Sequence, residues 1–290
     1  MGGTLYTHKP DDEKEAPVNK KPDVETYFRP SNLPVLNDRF SEGFFDSILL
    51  NDSKKFKLPD KLLKSPQDTI LNYFSMLREA ANPPDDKWTG CGTLGDAQIP
   101  YPAAYQFLSS SYQEKLPYDQ YLKSFLNILH ISLIKYKEVP LYDNPSNILR
   151  YFVEIETIQG SETGESNFVY YYAFVDLIKE NGLYKINNID FTGEDFLCAP
   201  YHGWSHDAES SVQIRYGGWC DLIKKMNPTK QKDYVKQVSF QGKDGNDYLI
   251  LFYQLTNDTD VEIAQYKKGP NEKKWRLTKL DPEKCIKDKQ

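Results

Sequence analysis

The chain has 290 residues, a net charge of −6 and a sequence pI near 5.4. Hydrophobic residues make up 39% and charged residues 27%, so a core can form and the chain as a whole is not disordered. The acidic balance argues against a nucleic-acid binder, which needs a basic face, and no apolar run approaches the ~20 residues of a spanning helix.

Residues 1–23 open with Met1-Gly2-Gly3-Thr4 and run into a polar stretch rich in Lys, Asp, Glu and Pro. Such a stretch buries too little apolar area to order itself and is expected to be a flexible tether. Residues 24–64 are apolar but irregular, and Pro30, Pro34 and Pro59 interrupt any long helix. They are expected to form an extended arm docked on the main domain, with a short helix near Ser41 to Leu50. Ser65-Pro66-Gln67-Asp68 then opens a helix: Ser65 caps, Pro66 suits the first position and Asp68 favours the positive end of the dipole. Ile70, Leu71, Phe74, Leu77 and Ala81 follow at helical spacing. The loop from Asp85 to Pro100 is long for a compact domain and carries Trp88 and Cys91.

Further helices are expected over Ala103 to Tyr112 and Tyr118 to Leu126. Near Ile128 the period changes from helical to two. Ile148 to Gln159 alternates, with Arg150, Phe152, Glu154 and Glu156 on one face and Tyr151, Val153, Ile155 and Thr157 on the other. Asn167 to Lys179 reads as a long strand, and Asn181-Gly182 as a hairpin turn whose two residues need positive φ. Beyond it the sequence predicts a short strand over Val212 to Tyr216, a helix over Trp219 to Met226, and four strands within 234–280. The reading is α+β: helices packed on a curved antiparallel sheet, with a β-rich C-terminal meander. Its parts are the tether 1–23, the arm 24–64, a helix-and-sheet domain 65–197 and a C-terminal meander domain 198–290.

The stretch Ala104-Tyr105-Gln106-Phe107-Leu108-Ser109-Ser110-Ser111-Tyr112, then Leu116-Pro117-Tyr118-Asp119-Gln120-Tyr121-Leu122-Lys123-Ser124-Phe125, resembles the helical part of NTF2-like domains in exported bacterial proteins. The resemblance spans roughly residues 66–192. The tail is similar in element order to the cystatin-like arrangement, in which one helix lies on a sheet. Both likenesses imply a cavity or face for binding, and neither supplies a reaction, since chemistry needs its own residues.

The densest cluster of chemistry-bearing side chains is Cys198-Ala199-Pro200-Tyr201-His202-Gly203-Trp204-Ser205-His206-Asp207. Zinc ligation would need Cys198, His202 and His206 on one helical face, and Pro200 and Gly203 oppose that helix. The sequence therefore gives no catalytic set, no metal site and no cofactor. Tyr201, His202, Trp204, His206, Asp207, Trp88 and Tyr171 stand as candidate contacts for a ligand or partner. Cys91, Cys198 and Cys220 are candidates for a disulfide, with Cys198 joined to Cys91 or Cys220. From Met226 onward the balance turns basic, 13 Lys and Arg against 10 Asp and Glu, which by itself reads as a solvated surface.

The function expected is a non-catalytic extracytoplasmic binding or protein-interaction module. The chain's start looks like that of a cell-envelope lipoprotein whose signal and lipid-bearing Cys are absent here, so a membrane enters only through that anchor. The partner is a protein, a glycan or a small molecule, not a nucleic acid. Two other readings stand beside it: a cavity-based isomerase, dehydratase or hydrolase using His202, His206 or a sheet aspartate such as Asp176 or Asp190, and a structural component that oligomerises through an open sheet face.

Overall fold

The computed structural model describes residues 29–50, 56–83, 97–142, 144, 147–160, 166–196 and 203–287; the expected tether 1–23 lies outside them. Two compact units divide the chain, one ending at Pro34 and one running Val35–Gln290. In the described part of the first, Asn32 takes a φ of 51°. The turn around it is closed by the Arg29 guanidinium, which donates to the Leu33 carbonyl.

The second unit begins with helix α1, Glu42–Leu50, and a 3-10 turn at Asp60–Leu63. Helix α2, Pro66–Arg78, forms as its sequence requires: the Asp68 N–H donates to the Ser65 hydroxyl at 3.0 Å, and Pro66 is its first residue. Three short helices follow, α3 Tyr101–Tyr105, α4 Ser110–Lys115 and α5 Tyr118–Lys123. The single helix expected over Ala103 to Tyr112 is thus two. It breaks because Leu108 bridges Ile186 in parallel and the Ser109 N–H donates to the Ile186 carbonyl at 2.8 Å, after which Ser109 caps α4 through the Tyr112 N–H.

Strands β1 Ile128–Val139, β2 Leu149–Gly160, β3 Ser166–Glu180 and β4 Leu183–Gly193 make an antiparallel sheet in chain order. Asn181 and Gly182 have φ of 51° and 84°, as a tight two-residue hairpin demands. One face carries Ile131, Leu133, Tyr151, Val153, Ile155, Ala173, Val175 and Leu177 and packs on the helices, with Tyr73, Phe74 and Phe107 at the centre. Each such large side chain contributes about 1.5–3 kcal/mol by burial. Leu36 and Asn37 close the outer edge of β1. Leu36 N–H donates to the Leu133 carbonyl at 2.9 Å, and the buried Asn37 amide donates to Ile131 and Phe74 carbonyls while accepting from Leu133.

The chain continues through a 3-10 turn at Trp204–His206, helix α6 Ala208–Val212 and a π-helical segment Gln213–Trp219. Then come β5 Ile223–Met226, β6 Lys230–Lys232, β7 Val235–Gly242, β8 Asp247–Gln254, β9 Asp260–Lys268, β10 Arg276–Thr278 and helix α7 Pro282–Lys287. The second sheet is antiparallel in the order β10-β9-β8-β7-β5, with β6 also paired to β7. Two expectations are corrected here. Val212 to Tyr216 is helical, because Val212 and Tyr216, four apart, bury one face against Val238, Phe240 and Ile250. Trp219 to Met226 is not a helix: Asp221 at φ 50° turns the chain, and Ile223–Met226 pairs with β7. The tail therefore runs helix first and strands after, not in the order strand, helix, four strands.

The second sheet covers the other face of the first. Val139 and Phe152 pack with Leu251, Tyr253, Leu255 and Ala264, joined by Tyr172 and Phe174. This face of the first sheet is thus covered from within the chain. Polar groups fix this seam. The Lys135 ammonium lies 2.7 Å from Glu154 and donates to the Gln254 carbonyl at 2.9 Å. Glu154, wholly buried, also accepts from the N–H and hydroxyl of Thr256. Tyr234 and Tyr253 hydroxyls donate to the β1 carbonyls of Tyr136 and Glu138, both at 3.1 Å. The second half of the β1 edge is thereby tied to the second sheet, as the first half is tied to Leu36 and Asn37.

Glu194 sits beside this cluster and accepts from the Asn257 N–H at 3.3 Å. Its carboxyl is pushed up to about 9, chiefly by burial and then by the adjacent Glu154 carboxylate, with Lys135 opposing. A carboxyl that holds its proton more tightly when folded adds stability below its ordinary value of 4.5 and loses it as pH rises through about 9. The urea-unfolding free energy should therefore fall between about pH 5 and about pH 9. Glu194→Gln, which stays neutral throughout, should flatten that slope relative to the parent; equal slopes would place the proton elsewhere.

Candidate functional site

The turn holding Trp204, His206 and Asp207 is fixed from both sides. Asp207 caps α6, accepting from the Ser210 N–H at 2.7 Å. Desolvation raises its carboxyl, but the Ser210 bonds and the Lys236 charge outweigh that and hold it below the usual carboxylate value. The next N–H, of Ala208, donates to buried Asp260 at 3.0 Å, and Asp260 is paired with Lys236 at 2.8 Å. Ala208, Val212 and Tyr216 then press α6 and the π-helical segment onto the second sheet.

This anchoring places Trp204 edge-on to Trp219, with ring centroids 5.6 Å apart and planes at 88°. The Arg215 guanidinium lies 6.0 Å from the Trp204 ring centre, a cation–π position. Trp204 is 39% exposed, so part of its face is open to a partner. Arg215 and Trp219 continue into a cleft of about 260 Å³, whose far wall is residues 279–283. Its base is a closed polar network. Glu262 takes Arg215 at 3.3 Å, the Tyr216 hydroxyl at 3.4 Å and the Gln265 amide at 2.7 Å. Gln265 also donates to Tyr216 at 2.9 Å and accepts from the Leu280 N–H. Burial, reinforced by Glu262, holds the Tyr216 phenol well above its ordinary value, so it serves this network as a neutral donor and acceptor.

A disulfide joins Cys220, just after the π-helical segment, to Cys285 in α7, with Cα atoms 5.0 Å apart. This corrects the expected pairing of Cys220 with Cys198: the partner comes from the far end of the chain, where a lone Cys after Asp281-Pro282-Glu283 gives no spacing signal. The bond fastens α7 to the segment that carries Arg215 and Trp219. Cys198, Tyr201, His202, Trp88 and Cys91 lie outside the described residues. Of the sequence cluster, the structure brings Trp204, His206 and Asp207 into one turn, with Asp207 in a structural role. It adds Arg215, Trp219, Glu262 and Gln265, which sequence reading missed. Asp207 followed by Ala-Glu-Ser was a helix-start signal that would have placed Arg215 and Trp219 beyond a helix, near Trp204.

Tyr171 belongs to a different place. It faces the helix side of β3, accepts from the Gln159 amide at 2.8 Å, and meets Phe191 at 6.5 Å. With Phe74, Phe125, Ile155 and Thr157 it lines a pocket of about 130 Å³. The described walls carry no carboxylate, imidazole or amine, and their polar side-chain atoms are the Tyr171, Thr157 and Ser124 hydroxyls. The sheet aspartate Asp176 is held by Arg150 through two bonds, at 2.6 and 2.8 Å, from the residue directly opposite on β2. Among the described residues no three His, Cys, Asp or Glu side chains gather in a metal-holding group.

The fold and the cleft together define an α+β chain of two antiparallel sheets packed face to face, with helices on both outer faces. Comparison with family models and with curated proteins gives no match. A solved structure of an NTF2-like protein involved in plasmid conjugation is similar at 9% identity and a TM-score of 0.20, covering 62% of this chain and 92% of that one.

The disulfide closes a 65-residue separation. Cys285→Ser should lower the unfolding free energy by about 2–5 kcal/mol, the usual effect of cross-linking a loop of that length. The check is equilibrium unfolding in urea under non-reducing conditions; a change below about 1 kcal/mol would contradict the bond's part in fixing α7.

Proposed function

We propose that the protein is a non-catalytic binding module of the cell envelope, held to the membrane by an N-terminal lipid anchor, and that its contact surface centres on Trp204 and Trp219. The observation that carries this reading is how the polar groups around the two indoles are used. Glu262, Gln265 and Tyr216 are satisfied by one another, and Asp207 is spent on a helix cap. What remains to meet a partner is the partly open Trp204 face with Arg215 against it. Tryptophan and arginine are the side chains that most often anchor protein interfaces. The Cys220–Cys285 bond supports an oxidising compartment, where structural disulfides persist.

A photo-crosslinking residue placed at position 204 of the anchored protein, in cells, is expected to give one discrete adduct. The adduct should weaken at least fivefold with Arg215→Ala, and a crosslinker at exposed Lys224 should not give it. Identical patterns from positions 204 and 224 would remove this surface from consideration.

A further inference from the structure

On the seam side of the second sheet, away from the Trp204 cleft, lies a groove of about 550 Å³ where the first sheet meets β6 and β7. Val235 and Leu251 form its apolar part, and Lys137, Lys230 and Lys232 line it with Asp233. Lys230 and Lys232 are two apart on β6 and so share one face of that strand. Lys137 comes from β1 across the seam.

The charge pattern of the groove differs from that of the strands beside it. Lys236, Lys243, Lys267 and Lys268 each lie within 4 Å of a carboxylate, of Asp260, Asp221, Asp244 and Asp247 respectively. Among the described residues Lys137, Lys230 and Lys232 have no such partner, and the groove lining supplies three ammonium groups against one carboxylate. In a chain of net charge −6, acidic side chains are plentiful, yet among the described residues none lies within ion-pair distance of these three. Like charges gathered without counter-ions repel one another, and a bound anion relieves that repulsion. The volume falls within the range of small-molecule sites, which combine apolar walls with a few placed charges.

We propose that this groove binds a single small amphiphilic oxyanion, a phosphate or carboxylate on an apolar body, with the body on Val235 and Leu251 and the head among Lys137, Lys230 and Lys232. The site is independent of the Trp204 surface and stands whether or not that reading holds.

Decyl phosphate, kept below its micelle concentration, is the probe, and the amide resonances of Val235, Gln237 and Leu251 are the readout. Saturable shifts at these amides are expected, with inorganic phosphate at least tenfold weaker because it lacks the apolar body. The Lys137→Gln/Lys230→Gln/Lys232→Gln variant, altered only at exposed side chains, should bind at least tenfold more weakly. If that variant fails to fold, Lys232→Gln alone should bind two- to fourfold more weakly. Absence of saturable shifts, equal affinity for inorganic phosphate, unchanged affinity in the lysine variants, or attachment to phosphatidylglycerol vesicles without binding of monomeric decyl phosphate would each overturn the proposal.

Discussion

The Lys135–Glu154 pair, taken out of water between two sheets, is the contact on which the rest of the structure depends. A buried pair of this kind adds little net stability compared with apolar side chains of the same size. Removing one member, however, strands a charge and costs about 3–5 kcal/mol. Its effect is to fix the arrangement. Glu154 is satisfied only if Thr256 in the β8–β9 turn stands over it, and Lys135 only if the Gln254 carbonyl does as well. Lys135 and Glu154 pair across β1 and β2 whatever the turn does, but the turn cannot slide along the first sheet without stripping both buried groups of their remaining hydrogen bonds.

The placement of the surfaces follows. With the turn at 255–259 keyed to Glu154 and Glu194, the seam face of the second sheet lies on Phe152 and Val139, and its other face is left for α6 and the π-helical segment. That helix layer carries Trp219 and Arg215 to the edge where Trp204 meets them. On the seam side the sheets meet fully around Tyr253 and Leu255, and the groove with its lysines opens where β6 and Lys137 border them. Both surfaces proposed for binding are thus by-products of one packing decision, on opposite faces of the same sheet.

Much of the first sheet was legible because period-two alternation is a strong signal. The two faces assigned to residues 148–157 are the two faces observed, and Asn181-Gly182 turns as its chemistry demands. Alternation does not say what covers each face. Glu154 and Glu156 look like a solvent face, yet both are buried: their cross-strand neighbours Lys135 and Tyr170 meet them within the first sheet, and a second sheet arriving about 100 residues later covers Glu154 with Thr256. Local patterning also misled at Val212 to Tyr216, where the residues satisfy a strand template and a helix template equally, and only packing on Phe240 and Ile250 decides between them. The cleft was partly legible: Trp204 and Asp207 stood out as a cluster, whereas Glu262 and Gln265 come from a strand about 50 residues on. Cys285 was invisible as a partner for Cys220, since disulfide geometry is set by the fold and not by spacing.

If the polar seam joins the two sheets into one cooperative unit, the slowest-exchanging amides of both must open together. Native-state hydrogen exchange of the β2–β3 and β7–β8 amides tests this directly. A single opening free energy for both sets, and its separation into two values in Glu154→Ala, is the result this structure requires. Distinct values in the unaltered protein, with the second sheet opening first, would contradict it.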